Sequence, residues 1–253
     1  MTTLGAPAAA SPWAFHPHPD VWFLVIALSV GYALALRVLG PTHAVPGRPP
    51  ASARRQTLFF AGVLALWLGA DWPVHDLSED YLFSVHMVQH LLFTFVAPPL
   101  MLLGLPQWLV RAALRPPPVM AAARFLTRPL VALVVFNMVI AVTHWPTLVD
   151  LSLRFELVHL AIHTVLFVTA TLMWWPVISP LPELAQLPPP AKMLYLFLQS
   201  ILPTVPASFL TFAETPIYSF YASVPRPWPA FDVVTDQRVA GLIMKLGGGL
   251  LLW

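Results

Sequence analysis

The sequence predicts an all-α polytopic membrane protein: a bundle of about seven transmembrane helices with its N-terminus outside. Three observations predict it. Hydrophobic residues fill 58% of the 253 positions and charged residues only 9%, against about 25% charged in a soluble domain. So few charges cannot cover a water-facing surface, and lipid must cover most of it. The apolar residues also fall in runs near the roughly 20 residues that a helix needs to cross the hydrocarbon core. Finally, Trp22, Trp72, Trp108, Trp145, Trp174 and Trp175 stand near the ends of these runs, as an interfacial belt does.

The runs lie near 21–39, 58–72, 84–103, 129–144, 154–175, 193–212 and 238–253. Residues 1–20 form an outer N-terminal segment with no Lys or Arg and no continuous apolar stretch. They do not read as a signal peptide, which leaves the first span as the insertion signal. The last run stops on Gly247-Gly248-Gly249-Leu250-Leu251-Leu252-Trp253 without a polar tail, which predicts that the natural chain continues. The 29 prolines fall mostly in connections, but Pro98, Pro99, Pro203 and Pro206 lie inside spans and should kink them. With no internal repeat and no low-complexity linker, 1–253 reads as a single domain.

The basic residues orient the bundle. Arg37, Arg48, Arg54, Arg55, Arg111, Arg115, Arg124, Arg128 and Lys192 all fall on one side, which the positive-inside rule makes cytoplasmic. Among the acidic residues only Glu183 joins them. Other classes drop out. The absence of cysteine excludes disulfides, thiolate metal sites and cysteine nucleophiles. A net charge of +2 without a basic, aromatic-laced stretch gives nucleic acid no groove. No nucleophile–base pair or phosphate loop marks an enzyme.

The nine histidines are the informative feature. His43 sits in the first cytoplasmic connection; His16, His18, His75, His86, His90, His144, His159 and His163 all map to the outer side. His86 and His90 are four apart in the third span, as are His159 and His163 in the fifth, so each pair shares a helix face. At 1.5 Å rise per residue, His90 and His163 lie roughly 10 Å below their helix starts. Ionisable groups at that depth face a bundle interior or a water cavity. Glu156 precedes His159 by three positions, as a ligand or as the partner that fixes its tautomer. His75 and His144 are further ligand candidates, and Asp71, Glu79 and Asp80 add charge that attracts a cation. Met87 and Met244 offer soft sulfur to copper(I), although methionine in an apolar helix is usually packing. One i,i+4 pair is commonplace; two at matched depth beside a carboxylate point to a metal or heme site. His16 and His18 read as a surface segment, with metal capture as the alternative.

Imidazole suits copper, zinc, iron and nickel. Facing histidines can also clamp a heme, which makes a bis-histidine redox protein one rival. A metal transporter is another, but polar groups thin out toward the cytoplasmic half. A di-iron carboxylate centre fits less well, since Glu156-Leu-Val-His159 has no second copy. Membrane desaturases use more histidines and, as a family, place them on the cytoplasmic face.

Several motifs resemble the CtaG family of assembly factors for caa-type cytochrome c oxidases. They are His86-Met-Val-Gln-His90-Leu-Leu, Ala97-Pro-Pro-Leu100, Leu103-Gly-Leu-Pro106, His144-Trp-Pro146, Glu156-Leu-Val-His159-Leu-Ala-Ile-His163 and Trp174-Trp-Pro176. Pro216-Ile-Tyr218-Ser-Phe-Tyr221 and Asp236-Gln-Arg-Val-Ala-Gly241-Leu-Ile-Met244 continue the pattern, which departs at Lys245, where an aromatic is expected. The resemblance implies a seven-helix protein of the bacterial cytoplasmic membrane that supplies copper to oxidase subunits from a site on the outer face. Copper is the expected cargo and heme the alternative cofactor. Gly247-Gly248-Gly249 suits packing against a second copy as well as internal packing.

Overall fold

A computed structural model describes residues 11–43, 45 and 47–252, so the first part of the N-terminal segment and Trp253 lie outside the described residues. Every described element is helical. In chain order they are α1 (Pro19–His43), α2 (Ala53–Ala70), α3 (Val74–Asp80), α4 (Phe83–Gly104) and α5 (Gln107–Ala113). Then come α6 (Pro117–Leu126), α7 (Pro129–Thr143), α8 (Pro146–Ser152) and α9 (Glu156–Ile178). The chain ends with α10 (Pro189–Ile201), α11 (Thr204–Phe212), α12 (Ser219–Ser223) and α13 (233–252). The starts follow local chemistry. Ser52 Oγ accepts from Arg55 N to cap α2, and Asp232 accepts from Thr235 N to cap α13. Proline opens α6, α7, α8 and α10, where its missing N–H is not needed.

Among the described residues, five helices are long and apolar enough to cross a membrane: α1, α2 continued by α3, α4, α9, and α10 continued by α11. The fourth predicted run differs. Alone, α7 has 15 residues, short of the roughly 20 required. It becomes a sixth crossing only together with α6, from which it is bent by 77° at Thr127-Arg128. The last run is helical as α13, but Asp236, Arg238 and Lys245 dilute its apolar character. Phe23, Ile26, Leu130, Leu157 and Phe209 point outward, as a lipid-facing surface requires.

The in-span prolines have visible consequences. Pro98 has no N–H for the carbonyl of Thr94, one turn above. That carbonyl instead accepts from Trp174 Nε1 at 2.9 Å, which ties α9 to α4. Just before the prolines, α4 makes a π-helical turn at Leu92–Val96. Pro203 separates α10 from α11, and Thr204 Oγ1 reaches back to the carbonyl of Ser200 at 2.9 Å. Below the π turn, α4 and α2 nearly touch. A Cβ on Gly104 would lie 2.5 Å from Phe59 N, and one on Gly62 would lie 2.9 Å from the Ala97 carbonyl. Gly104→Val should therefore destabilise the detergent-solubilised protein by about 1–3 kcal/mol, read as a lower thermal unfolding midpoint. An unchanged midpoint would mean that this seam is not tightly packed.

The connections are tied to one another in two sets. At one end, Arg55 donates to the Leu105 carbonyl at 2.7 Å and Trp108 to the Pro50 carbonyl at 2.7 Å. There too, Arg111 pairs with Glu183 at 2.6 Å. At the other end, Asp150 accepts from the backbone of Ser219 and Phe220, and Tyr218 donates to the His144 carbonyl at 3.1 Å. Asp71 accepts from the indoles of Trp22 and Trp67 at 2.8 and 2.6 Å, binding α1 to α2. His43 lies in the first set, beside Trp108.

Candidate metal centre

Three helices bring the histidines together, and the upper half of α4 is central to them. Its start is held by Asp236 of α13. The carboxylate accepts from Phe83 N and Ser84 N at 2.9 Å each and from Arg226 Nη1 at 3.1 Å. An anion on the first N–H groups of a helix complements its dipole. Arg226 also donates to the Tyr221 carbonyl, and Tyr221 Oη donates to the Ser78 carbonyl at 2.6 Å. Burial, reinforced by Glu79 and Asp236, pushes the Tyr221 phenol well up, so it remains a neutral donor. This network sets the rotation of α4 just before His86.

His86, His90 and His163 each offer a ring nitrogen, and these atoms lie within 4.8 Å of one another. The rings of His86 and His90 are 4.4 Å apart by centroid, and His163 lies 5.7 and 5.2 Å from them. His144 packs edge-on to His90 at 5.5 Å. Its Nδ1 is 2.8 Å from the Ile140 carbonyl, which leaves Nε2 free; this is the tautomer of a metal-binding histidine. His86, His90, His144, His159 and His163 line one small cavity, which has space for about one water-sized sphere.

A second group stands above the first. His75, Glu79 and His159 also bring their ligand atoms within 4.8 Å of one another. Glu79 Oε1 lies 3.1 Å from His75 Nε2 and 2.8 Å from His159 Nε2. Gln89, fully buried between His86 and His90 in sequence, donates to the Gly69 carbonyl at 2.8 Å and sits 3.3 Å from His75 Nδ1. Above that, His16 and His18 hold the two oxygens of Asp76 at 2.8 and 2.7 Å. The segment that reads as a surface tail is thus fastened to α3.

The buried polar atoms decide what the cluster can do. Among the described residues, His86 Nδ1, both nitrogens of His90, and the Nε2 atoms of His144 and His163 make no hydrogen bond. His159 Nε2 and Glu79 Oε1 face each other at 2.8 Å. Burying a polar group without a partner costs roughly 1–3 kcal/mol in proteins, and native structures rarely concentrate that cost in one place. Converging lone pairs around a one-atom space suit a transition-metal ion.

The sequence-predicted residues fall unevenly. His86, His90, His163 and His159 converge, His75 joins the upper group, and His144 abuts the lower one. Glu156 is exposed on the first turn of α9 and stands outside both groups; Glu79 supplies the carboxylate instead. The reason is local: the start of α9 faces outward over residues 154–157, and α3 covers its buried side one turn later, at His159. Met87 and Met244 are both buried in the main apolar core, and both line a neighbouring cavity with His90, His144 and Lys245. The role of Glu79 was readable from its spacing, since His75 and Glu79 are four apart like the two histidine pairs. The grip of Asp76 on His16 and His18 was not.

A protein-family model described as cytochrome c oxidase caa3 assembly factor matches residues 30–253. An uncharacterized protein of Mycobacterium bovis and another of Mycobacterium tuberculosis are each 29% identical over 242 residues. The match covers 85% of this chain and 34% of each relative, so the chain spans about a third of the length of the curated relatives it matches. No solved structure matches the chain.

Proposed function

The chain belongs to the cytochrome c oxidase caa3 assembly factor family, and from that premise we propose that it binds copper as cargo at His86, His90 and His163 and passes it to oxidase subunits in the bilayer. His159 and His144 flank this site and complete or relay the coordination; Met87 and Met244 line the cavity beside it. The observation that carries the reading is the set of buried, unpartnered imidazole nitrogens around a space of about one atom. Copper is favoured among imidazole-binding metals because the family serves a heme–copper oxidase.

On this reading the protein is a single seven-span unit of the bacterial cytoplasmic membrane, with α7 and α13 as the fourth and seventh crossings. Its arginine-rich end faces the cytoplasm and its histidine end faces outward. It works by binding and release, without catalysis. A transmembrane metal path is disfavoured because polar groups thin out toward the cytoplasmic half of the spans.

X-ray absorption on the copper-loaded, detergent-purified protein tests the reading. Copper at stoichiometric level with imidazole scattering is expected. Failure to retain copper, or a Soret band indicating bound heme, would overturn it.

A further inference from the structure

We propose that His75, Glu79 and His159 form a second, outer copper site that loads the inner histidines. The inference rests on the reading of copper as cargo and adds where the ion first lands.

Four observations carry it. Each group brings three ligand atoms within 4.8 Å of one another with no residue in common, and His159 of the outer group also lines the inner cavity. The outer group contains a carboxylate, whereas the inner group has three imidazoles and no carboxylate. A cation arriving from water meets Glu79, whose side chain is 28% exposed although its Oε1 is buried, before it meets the buried His86 and His90. His159 is more than nine-tenths buried, and its Nε2 faces Glu79 Oε1 at 2.8 Å. That atom is placed to share an ion with the carboxylate.

His159 also connects the sites. Its ring centroid lies 5.9 Å from His75, 5.9 Å from His86 and 4.0 Å from His163. A rotation of this one side chain exchanges Glu79 for the inner rings, so an ion need never leave nitrogen ligands on the way down. Above, His18 stacks edge-on against His75 at 4.6 Å while holding Asp76, which extends the line of imidazoles to the outer surface. The same copper ion moves through, with no change of oxidation state required. Glu79 serves capture and the inner site serves retention: an anionic ligand raises the local cation concentration, and a fully enclosed set releases its ion slowly.

The test is copper(I) titration of the full chain in detergent against a chromophoric chelator, with stopped-flow loading. Wild type should bind two ions. Glu79→Gln with His75→Ala should bind one and load it about tenfold or more slowly. His86→Ala with His90→Ala should keep one fast-loading ion. The single Glu79→Gln variant, nearly isosteric, guards against misfolding of the double variant and should slow loading by itself. Two ions at wild-type rate in the Glu79 and His75 variants would overturn the outer site, as would one ion in wild type that those variants retain. If wild type binds none, the copper reading itself fails. One ion lost only in the His86 and His90 variant would leave that reading standing and refute this one.

Discussion

Alanine at both His86 and His90 should abolish function while sparing the fold. On the copper reading the pair supplies two of the three inner ligands, and the remaining His163 cannot hold an ion alone. In a host that depends on this chain, oxidase activity should fall at least about tenfold, since even partners of metal ligands commonly cost 10–100-fold in affinity when removed. The stability expectation runs the other way from an ordinary core substitution. Both rings carry buried nitrogens without partners, so their removal relieves desolvation while it opens a cavity, and the two effects oppose. The metal-free variant should therefore unfold close to wild type. Its copper-induced rise in melting temperature, which binding to the native state alone produces, should shrink. His43→Ala and Glu156→Gln serve as controls and should leave oxidase assembly intact. Undiminished oxidase activity in the double variant would refute the site.

Asp236→Ala should produce the largest loss of stability. The carboxylate is 1% exposed and accepts from two backbone N–H groups and a guanidinium. Its removal strands the half-buried Arg226 and leaves the start of α4 without its anion. Breaking a buried pair this way costs about 3–5 kcal/mol. Asp236→Asn should cost less, because an amide oxygen still serves one of the N–H groups. Chemical unfolding of the detergent-solubilised variants gives the ranking. A loss below about 1 kcal/mol for alanine would show that Asp236 does not anchor α4. Copper affinity should fall with stability in both variants, since His86 lies within one turn of the capped end.

These residues also show how far local sequence reaches. Hydropathy placed α1, α4 and α9 because each buries or exposes its apolar face over an uninterrupted length. It treated 129–144 as an ordinary span, whereas α7 is short and bends away from α6 where Pro129 forbids the continued helix. The i,i+4 rule found His86 with His90 and His159 with His163, since four residues bring side chains onto one face whatever surrounds the helix. A spacing of three pointed to Glu156 in the same way, but which side of a first turn is buried depends on the neighbouring helix, and α3 was not legible as a helix. Asp236 illustrates the limit. In the sequence it stands only in the motif that opens the last run, yet it caps a helix more than 150 positions earlier in the chain. Such a pairing is written in the packing of α13 against α4.

The π turn at Leu92–Val96 has a consequence for how this bundle tolerates change. A π turn holds one residue more than an α turn, so it shifts the rotational phase of everything after it by roughly 100° relative to a continuous helix. Above it, the phase of α4 is dictated by His86, Gln89 and His90; below it, by the Gly104 seam with α2. The extra residue uncouples the two demands. The upper half can drift to suit an ion without disturbing the contact that holds the helix in the bundle, and the seam can be repacked without rotating the histidines out of line.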